Sequence, residues 1–575
     1  MKIERYIAPW PDIDYPNFIA WMKHGRETWN DRVAIRYRAG KNREFDTWTY
    51  GKLFVTAEIF AKTLVAAGCS AGDRVALWAE NRPEWCAAWL GAVLAGCTIV
   101  PIDFTLPADT VEAILAKTEP KALILSSRRT EHLVRFNEIC PSIALSAAFD
   151  HDWSSLLASA KGDVALPAAD AIASNHPASI IFTSGTTGIA KGVTLSHHGI
   201  IANINASILS LPIYAPDVFM SVLPLHHTYP TTCAFLSPLS VGASLTICEK
   251  VVGKVIVDDI RDSGGTIMIA VPILYDKLKE GISHGFGAKG ACTKALVSAL
   301  CGVSRFFRVA LRCHAAGELL LSGVRKKAGL GTIRLLVSGG GPLDPSTADF
   351  FDDLGFNIVQ GYGMSENGPL ITTNTVKYKN NASAGLPVKY TDIRIIDAAG
   401  DGIGEIAVKS PSLMLGYFRN PEATAQCFTA DGFLKTGDLG RFDKKGFLFI
   451  TGRLKNIIVT AGGKNVYPEE IEAKFASSPL IEQVLVLPRK GDKGEEIAAI
   501  FVPNAEYLGT TYRDKADDEA FVESLIRETV QSVDRTLVPY QKITSWGIRR
   551  EPFEVTATRK IRRFLYKDFD AALKP

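Results

Sequence analysis

Apolar residues at helical spacing alternate with short β-branched runs along most of the chain, the pattern of an α/β protein whose helices cover buried strands. YGKLFVTAEIFAKTLVAAG, Tyr50 to Gly68, predicts a helix stopped at a glycine, and RVALWAE, beginning at Arg74, predicts a strand. Ala122 to Ser126 and Ile180 to Thr183 read as further strands, the second running into a glycine-rich turn. Ala160 to Pro177, rich in Ala, Asp and Pro, reads as the loop before it. Trp85 to Ile102 carries no charge over 18 residues, the length of a membrane span. Gly91, Gly96 and Pro101 interrupt it, and Gly96 to Ile102 reads better as a turn entering a buried strand.

Val271 to Ser338 is a long, mostly helical stretch. Its centre, SRFFRVALRC, places Arg305, Arg308 and Arg312 on one face and Phe306, Phe307, Ala310 and Leu311 on the other. A surface helix with a solvated basic side is the plainer expectation; a helix lying on a membrane surface is the alternative. From about residue 385 the texture turns to short strands with turns, as in IRIIDAAGDGIGEIAVKS, which predicts a small β subdomain. A basic, Gly-containing stretch, GRLKNIIVTAGGKNVYP, then leads into a ββα-like tail. The division is therefore a large N-terminal domain of α/β subdomains plus the β subdomain, residues 1–452, and a small α+β C-terminal domain, residues 453–575.

The 575 residues include 64 Lys+Arg against 61 Asp+Glu, for a net charge of +3, and 47% are apolar. This is globular composition, which excludes a disordered or fibrous chain and offers no broad footprint for nucleic acid. Ten cysteines are scattered, the closest pair being Cys292 and Cys301, so neither a CxxC metal pair nor a disulfide framework is present, and reduced, mostly buried thiols are expected. The N-terminus, MKIERYIAPWPDIDYP, mixes acids, aromatics and prolines where a signal peptide needs a basic start and an apolar run, so a cytoplasmic protein is expected.

The strongest local signal is IIFTSGTTGIAKGVTLSH, Ile180 to His197. The hydroxyls of Thr183, Ser184, Thr186 and Thr187 interleave with Gly185 and Gly188 before Lys191. Exposed backbone N–H groups, hydroxyls and one ammonium are what a polyphosphate needs from its cradle. It is not a Walker A loop: Ala190 stands at the second glycine position and Gly192 where Ser or Thr should hold magnesium. The segment resembles the phosphate-loop signature of the AMP-forming acyl- and aryl-CoA synthetases, the adenylate-forming superfamily. That family usually has proline where Ala190 stands, a change that removes rigidity but no chemical group.

The resemblance implies roles for further motifs in chain order. LPLHHTYP resembles the stretch lining the acyl pocket, making His227 and Tyr229 substrate-facing. SGGGPL and QGYGMSE imply an adenine site built from Gly339, Gly340 and Tyr362, with Gln360, Gly361 and Gly363 at the nucleotide, Ser365 on the α-phosphate and Glu366 as magnesium ligand. Asp438, in the TGD triplet, is implied for the ribose hydroxyls and Arg453 for ribose and phosphate, with Lys455 at a hinge about which the C-terminal domain moves. AGGKNVYP resembles the loop of a pantetheine tunnel, through Gly462 and Gly463. EVTATRKIRRF resembles the segment of the catalytic lysine, here Lys560, although Thr556, Thr558 and Arg559 depart from the usual proline and glycine.

The implied activity is attack of a fatty acid carboxylate on the α-phosphorus of ATP, then transfer of the acyl group from the adenylate to coenzyme A. Mg2+, Lys191, Thr186, His227 and Lys560 would serve the reacting groups. Partners are then fatty acid, ATP and coenzyme A, with peripheral membrane contact and a homodimer left open. The roughly 60 residues before SGGGP resemble the helical insertion of long-chain members and favour a long or medium acid. The alternatives are a ligase that loads a carrier-protein thiol, and a non-catalytic nucleotide or lipid binder, which the retained Lys191, Glu366, Asp438 and Lys560 argue against.

Overall fold

The computed structural model describes residues 10–13, 15–38, 44–158, 164–183, 191–248, 250–287, 291–311, 315–460, 464–475, 478–491, 494–555 and 561–574. Two large sheets organise the first four hundred or so residues. In one, Gly416–Tyr417, Lys191–Ser196, Pro177–Thr183, Thr98–Ile102, Arg74–Trp78, Ala122–Leu125 and Leu145–Ala148 lie side by side in that order. The last five are parallel, and the hairpin of Pro177–Thr183 and Lys191–Ser196 adds an antiparallel edge. The second sheet has nine strands, with Asn357–Gly363, Leu335–Ser338, Ile267–Ala270, Val218–Ser221, Ser244–Ile247 and Val33–Tyr37 forming its parallel centre.

Local chemistry accounts for the elements that carry these sheets. Thr49 caps the helix Tyr50–Ala66 by accepting the Lys52 N–H, and the chain leaves it through Gly68 at φ +85°. The uncharged run after Trp85 is the buried helix Pro83–Leu94, begun by proline, followed by a turn at Gly96 (φ +74°) and the strand Thr98–Ile102. Among the described residues no helix is long and apolar enough to cross a membrane. The eight cysteines whose side chains are described are free thiols, six of them buried.

A four-stranded antiparallel sheet, Asp392–Ile396, Gly404–Lys409, Leu434–Phe442 and Leu448–Arg453, follows the two large ones. The C-terminal part has its own three-stranded sheet, Ile481–Gly491, Gly494–Pro503 and Ser545–Ile548, with apolar clusters on both faces. A large α/β body is thus followed by a small α+β one, the expected fold class.

One sequence expectation is corrected here. The helix Ala291–Ala310 turns Arg308 inward, its side chain 14% exposed, while Arg305 stays 62% exposed at the surface. Arg305 and Arg308 both pair with Asp353 at the end of the helix Pro345–Asp353, and Arg308 and Lys379 share Asp352. The apolar side faces outward instead, with Phe306 60% and Val309 67% exposed. Asp352 and Asp353, both buried, would be left as uncompensated charges without these cations, which accounts for the inward turn of Arg308. Arg312 lies outside the described residues.

Candidate active site

The carboxyl ends of the parallel strands converge where a doubly wound sheet places its ligands. Strand Leu335–Ser338 ends in Gly339, whose added Cβ would stand 2.7 Å from the Tyr229 ring, and in Gly340 at φ +82°. Tyr229 donates to the Val337 carbonyl at 3.3 Å, so this glycine is required by the tyrosine lying across the strand end. Next to it, Asn357–Gly363 brings in Tyr362, and the turn Ser365–Asn367 follows. Asn203 holds that turn, donating to the carbonyls of Asn367 and Leu370 and accepting the Leu370 N–H, all at 3.0 to 3.1 Å.

Tyr362 donates to Asp438 Oδ2 at 2.7 Å, and Arg453 pairs with Asp438 Oδ1 at 2.8 Å. Burial and the Asp438 carboxylate hold the Tyr362 phenol well above its ordinary value. Asp438 and Arg453 are direct cross-strand partners in the four-stranded sheet, so strand register itself sets this pair. The side chain of Gln360, implied at the nucleotide, is tied to backbone groups around the glycine loop. Its amide donates to the carbonyls of Asn381 and Ser383 and accepts the Leu343 N–H, so the side chain braces the glycine loop.

Lys191 and Glu366, far apart in sequence, meet through a residue that motif reading missed. The Lys191 ammonium lies 4.7 Å from the centre of the Tyr417 ring, and the Tyr417 hydroxyl donates to Glu366 Oε1 at 2.8 Å. Tyr417 reaches this place because Gly416–Tyr417 pairs with Lys191–Ser196, placing Tyr417 opposite Val193. Thr228 was also missed; its hydroxyl is 3.0 Å from that of Ser365.

His226 and His227 stand with their Nε2 atoms 3.2 Å apart, and Asp103 Oδ2 is 3.5 Å from His226 Nε2. Burial and the adjacent ring push His226 down to about 3, and burial lowers His227, so both are neutral at pH 7. Asp103 was the third omission. The signal available was its position, immediately after a parallel strand at the carboxyl end of the sheet.

His227, Tyr229, Gly339, Tyr362 and Ser365 line one cavity of about 200 Å³, whose other end is apolar and built from Phe219, Ile267 and Leu335. Gly339, Gly340, Gly361 and Tyr362 make the opposite end glycine-lined and aromatic. Ser338 Oγ is buried beside it with no partner, the mark of a polar slot. Among the described residues no three His, Cys, Asp or Glu side chains gather as a metal cage, so a cation at Glu366 would draw its other oxygens from nucleotide and water.

Thr183 and Lys191 are register partners at the open end of their hairpin, and Ser184, Gly185, Thr186, Thr187 and Gly188 between them lie outside the described residues. So do Gly462 and Gly463, between the paired strands Ile458–Val459 and Asn465–Val466, and Lys560, between the bridged residues Val555 and Ile561. Lys455 is exposed on the turn Leu454–Asn456, directly after the last strand of the four-stranded sheet.

Joined nucleotide-shaped and apolar compartments at the carboxyl ends of a parallel sheet define an α/β enzyme that handles a nucleotide beside an apolar group. The chain belongs to the family of AMP-binding enzymes, matched over residues 22–418. Among curated relatives it is 29% identical over 539 residues to a long-chain fatty acid–CoA ligase of Mycobacterium bovis, covering 87% of each chain. It is 26% identical to a chloroplastic long-chain fatty acid–[acyl-carrier-protein] ligase of Arabidopsis thaliana, covering 90% of this chain and 80% of that one. ATP-bound MatB from Rhodopseudomonas palustris shares the fold, with a TM-score of 0.75 at 24% identity, over 96% of this chain and 98% of that one.

Proposed function

We propose that the protein activates a fatty acid with ATP to an acyl-adenylate and then transfers the acyl group to coenzyme A, releasing pyrophosphate in the first step and AMP in the second. The observation that carries this reading is the single cavity in which Tyr362 and Gly339 adjoin an apolar compartment. A carboxylate is already ionised at neutral pH, so no general base is required. What the reaction needs is relief of repulsion between two anions, and the site concentrates the groups for it.

Tyr362, Gly339, Gly340, Gly361 and Gly363 receive the adenine in this reading, with Gln360 fixing the loop beneath it. Asp438 accepts the ribose hydroxyls and Arg453 holds that carboxylate in place. Lys191, with Thr183 and the loop of Ser184, Gly185, Thr186, Thr187 and Gly188, takes the phosphates, and Ser365 the α-phosphate. Mg2+ held by Glu366 supplies positive charge along the phosphates when bound. His227 and Tyr229 guide the acid's head group. Lys560 approaches the departing pyrophosphate when the domain after Lys455 swings inward, and Gly462 and Gly463 admit the pantetheine arm when it swings back.

Incubation with fatty acid, ATP and coenzyme A, followed by mass spectrometry, tests the reading. An acyl-CoA product is expected together with exchange of labelled pyrophosphate into ATP. Exchange without acyl-CoA would move the acceptor to a carrier-protein thiol, and absence of exchange with every acid would remove the ligase reading.

We further propose that the protein works from the cytoplasmic side of a lipid surface. Leu296, Phe306, Val309 and Leu319 are 61%, 60%, 67% and 78% exposed on neighbouring helices, with exposed Lys326 and Lys327 close by in sequence. Exposed apolar side chains with ammonium groups nearby in the chain suit anionic phospholipid. Flotation with anionic vesicles is expected to carry the wild type and to lose Phe306→Ser with Val309→Ser; equal flotation of both sinks this part.

A further inference from the structure

Resting on the ligase reading above, we infer that the acyl compartment is blind-ended and selects medium-chain acids, of about eight to twelve carbons, with Phe219 and Ile213 setting the limit.

The compartment follows the strands. Phe219, Ile267 and Leu335 are register partners, one rung of the parallel sheet, and Ile269 and Val337 form the next. Gly339 lies two residues further, at the nucleotide end. All of these line the cavity. The residues between them, Met220, Met268 and Leu336, face the opposite side of the sheet and belong to a separate apolar cluster. At about 3.3 Å per residue, the four steps from Gly339 down to Leu335 span about 13 Å, and an extended chain advancing about 1.3 Å per carbon fills this with about ten carbons.

Beneath the lower rung the way is shut. Phe219 and Ile213 are 1% and 2% exposed, so this end of the compartment is walled by buried side chains. The loop carrying Ile213 is fastened on two sides. Trp10 donates its indole N–H to the Ile213 carbonyl at 2.7 Å, and Arg334, immediately before the strand Leu335–Ser338, donates to the Pro212 carbonyl at 2.6 Å. Arg334 also pairs with Asp217, which accepts the Thr266 hydroxyl at 2.7 Å. A floor tied by an ion pair and backbone hydrogen bonds is a fixed stop for a hydrocarbon chain.

The helical segment that in the sequence favours a long acyl group does not lengthen this compartment. Its residues Ile282, Cys301 and Val324 pack against the cluster that contains Met220, Met268 and Leu336, on the far face of the sheet. Each methylene accommodated improves binding by about fourfold, and each one beyond the floor must stay outside or displace it.

Thioester formation is measured with even-numbered acids from butanoate to octadecanoate for wild type, Phe219→Ala and Ile213→Ala, beside calorimetric binding of decanoate and hexadecanoate without ATP. Wild-type kcat/KM is expected to peak between octanoate and dodecanoate and to fall at least tenfold by hexadecanoate, with the peak two to four carbons longer in either variant. A wild type that uses hexadecanoate as well as decanoate, or a peak unmoved in both folded variants, overturns the inference; should the variants not fold, the wild-type profile decides. Thioesters of every length alike leave the ligase reading standing and remove the limit. Tighter binding of decanoate with neither thioester nor pyrophosphate exchange from any acid upholds the limit and removes the ligase reading.

Discussion

Tyr362 donates its phenolic hydrogen bond to the carboxylate of Asp438 across 2.7 Å, closing the gap between two sheets. The other oxygen of that carboxylate is held by Arg453. Both oxygens of the acid are therefore fixed in place. A hydrogen bond to a charged group is worth about 1.5–3 kcal/mol, which corresponds to roughly 10- to 100-fold in affinity. Asp438→Ala is expected to raise the KM for ATP in pyrophosphate exchange by at least tenfold, with a smaller change in the KM for the acid. Equal effects on both substrates would place Asp438 in the scaffold rather than at the ribose.

Tyr417 joins Lys191 to Glu366 through opposite ends of one ring, the ammonium above its face and the carboxylate on its hydroxyl. Tyr417→Phe keeps the face and removes the hydroxyl. A partner that orients a metal-binding carboxylate typically accounts for about 10- to 100-fold in metal affinity. The half-saturating Mg2+ concentration for adenylate formation is expected to rise by about tenfold, while the melting temperature stays near that of the wild type. An unchanged Mg2+ titration would separate Glu366 from the metal.

Short-range signals made much of this site legible in the sequence. The strand feeding Thr183, the strand end at Ser338 and the turn after Gln360 each announce themselves through β-branched runs broken by glycine, and all three lie at the carboxyl ends of strands. The residues that escaped reading depend on distant pairing. Tyr417 is an unremarkable aromatic until its strand lines up with Lys191–Ser196, and Asp103 is a loop acid until His226 arrives beside it. The orientation of the helix Ala291–Ala310 escaped for the same reason. Its two faces are plain from periodicity, but which one turns inward is decided by Asp352 and Asp353, some fifty residues further on.

That decision can be measured. Arg308 and Asp353 meet at 2.8 Å with side chains 14% and 5% exposed, and Arg305 shares the same carboxylate. Arg308 keeps Asp352 at 3.6 Å and Arg305 reaches solvent, so losing Asp353 costs less than the roughly 3–5 kcal/mol of stranding a buried charge outright. Asp353→Ala is expected to lower the melting temperature by several degrees and to open 291–327 to limited proteolysis, with the KM for ATP unaltered below that temperature. Retained protease resistance would show that apolar packing alone docks the helix.

Acidity should act through histidines that the fold keeps neutral. His197 is fully buried, its Nδ1 accepting the Phe18 N–H at 3.3 Å, and burial together with His176 pushes it down to about 3. In the unfolded chain the same ring titrates near 6.5. Between these values the unfolded state binds the extra proton, so stability is complete above about pH 6.5 and falls as pH drops toward 3, by up to about 1.4 kcal/mol per unit for this group. His197→Gln offers a neutral amide oxygen to Phe18 and has nothing to protonate. Between pH 6.5 and 5 the wild type should therefore lose about 2 kcal/mol more stability than the variant, read as a steeper fall in melting temperature. Parallel curves for the two proteins would mean that His197 takes up its proton without leaving the fold.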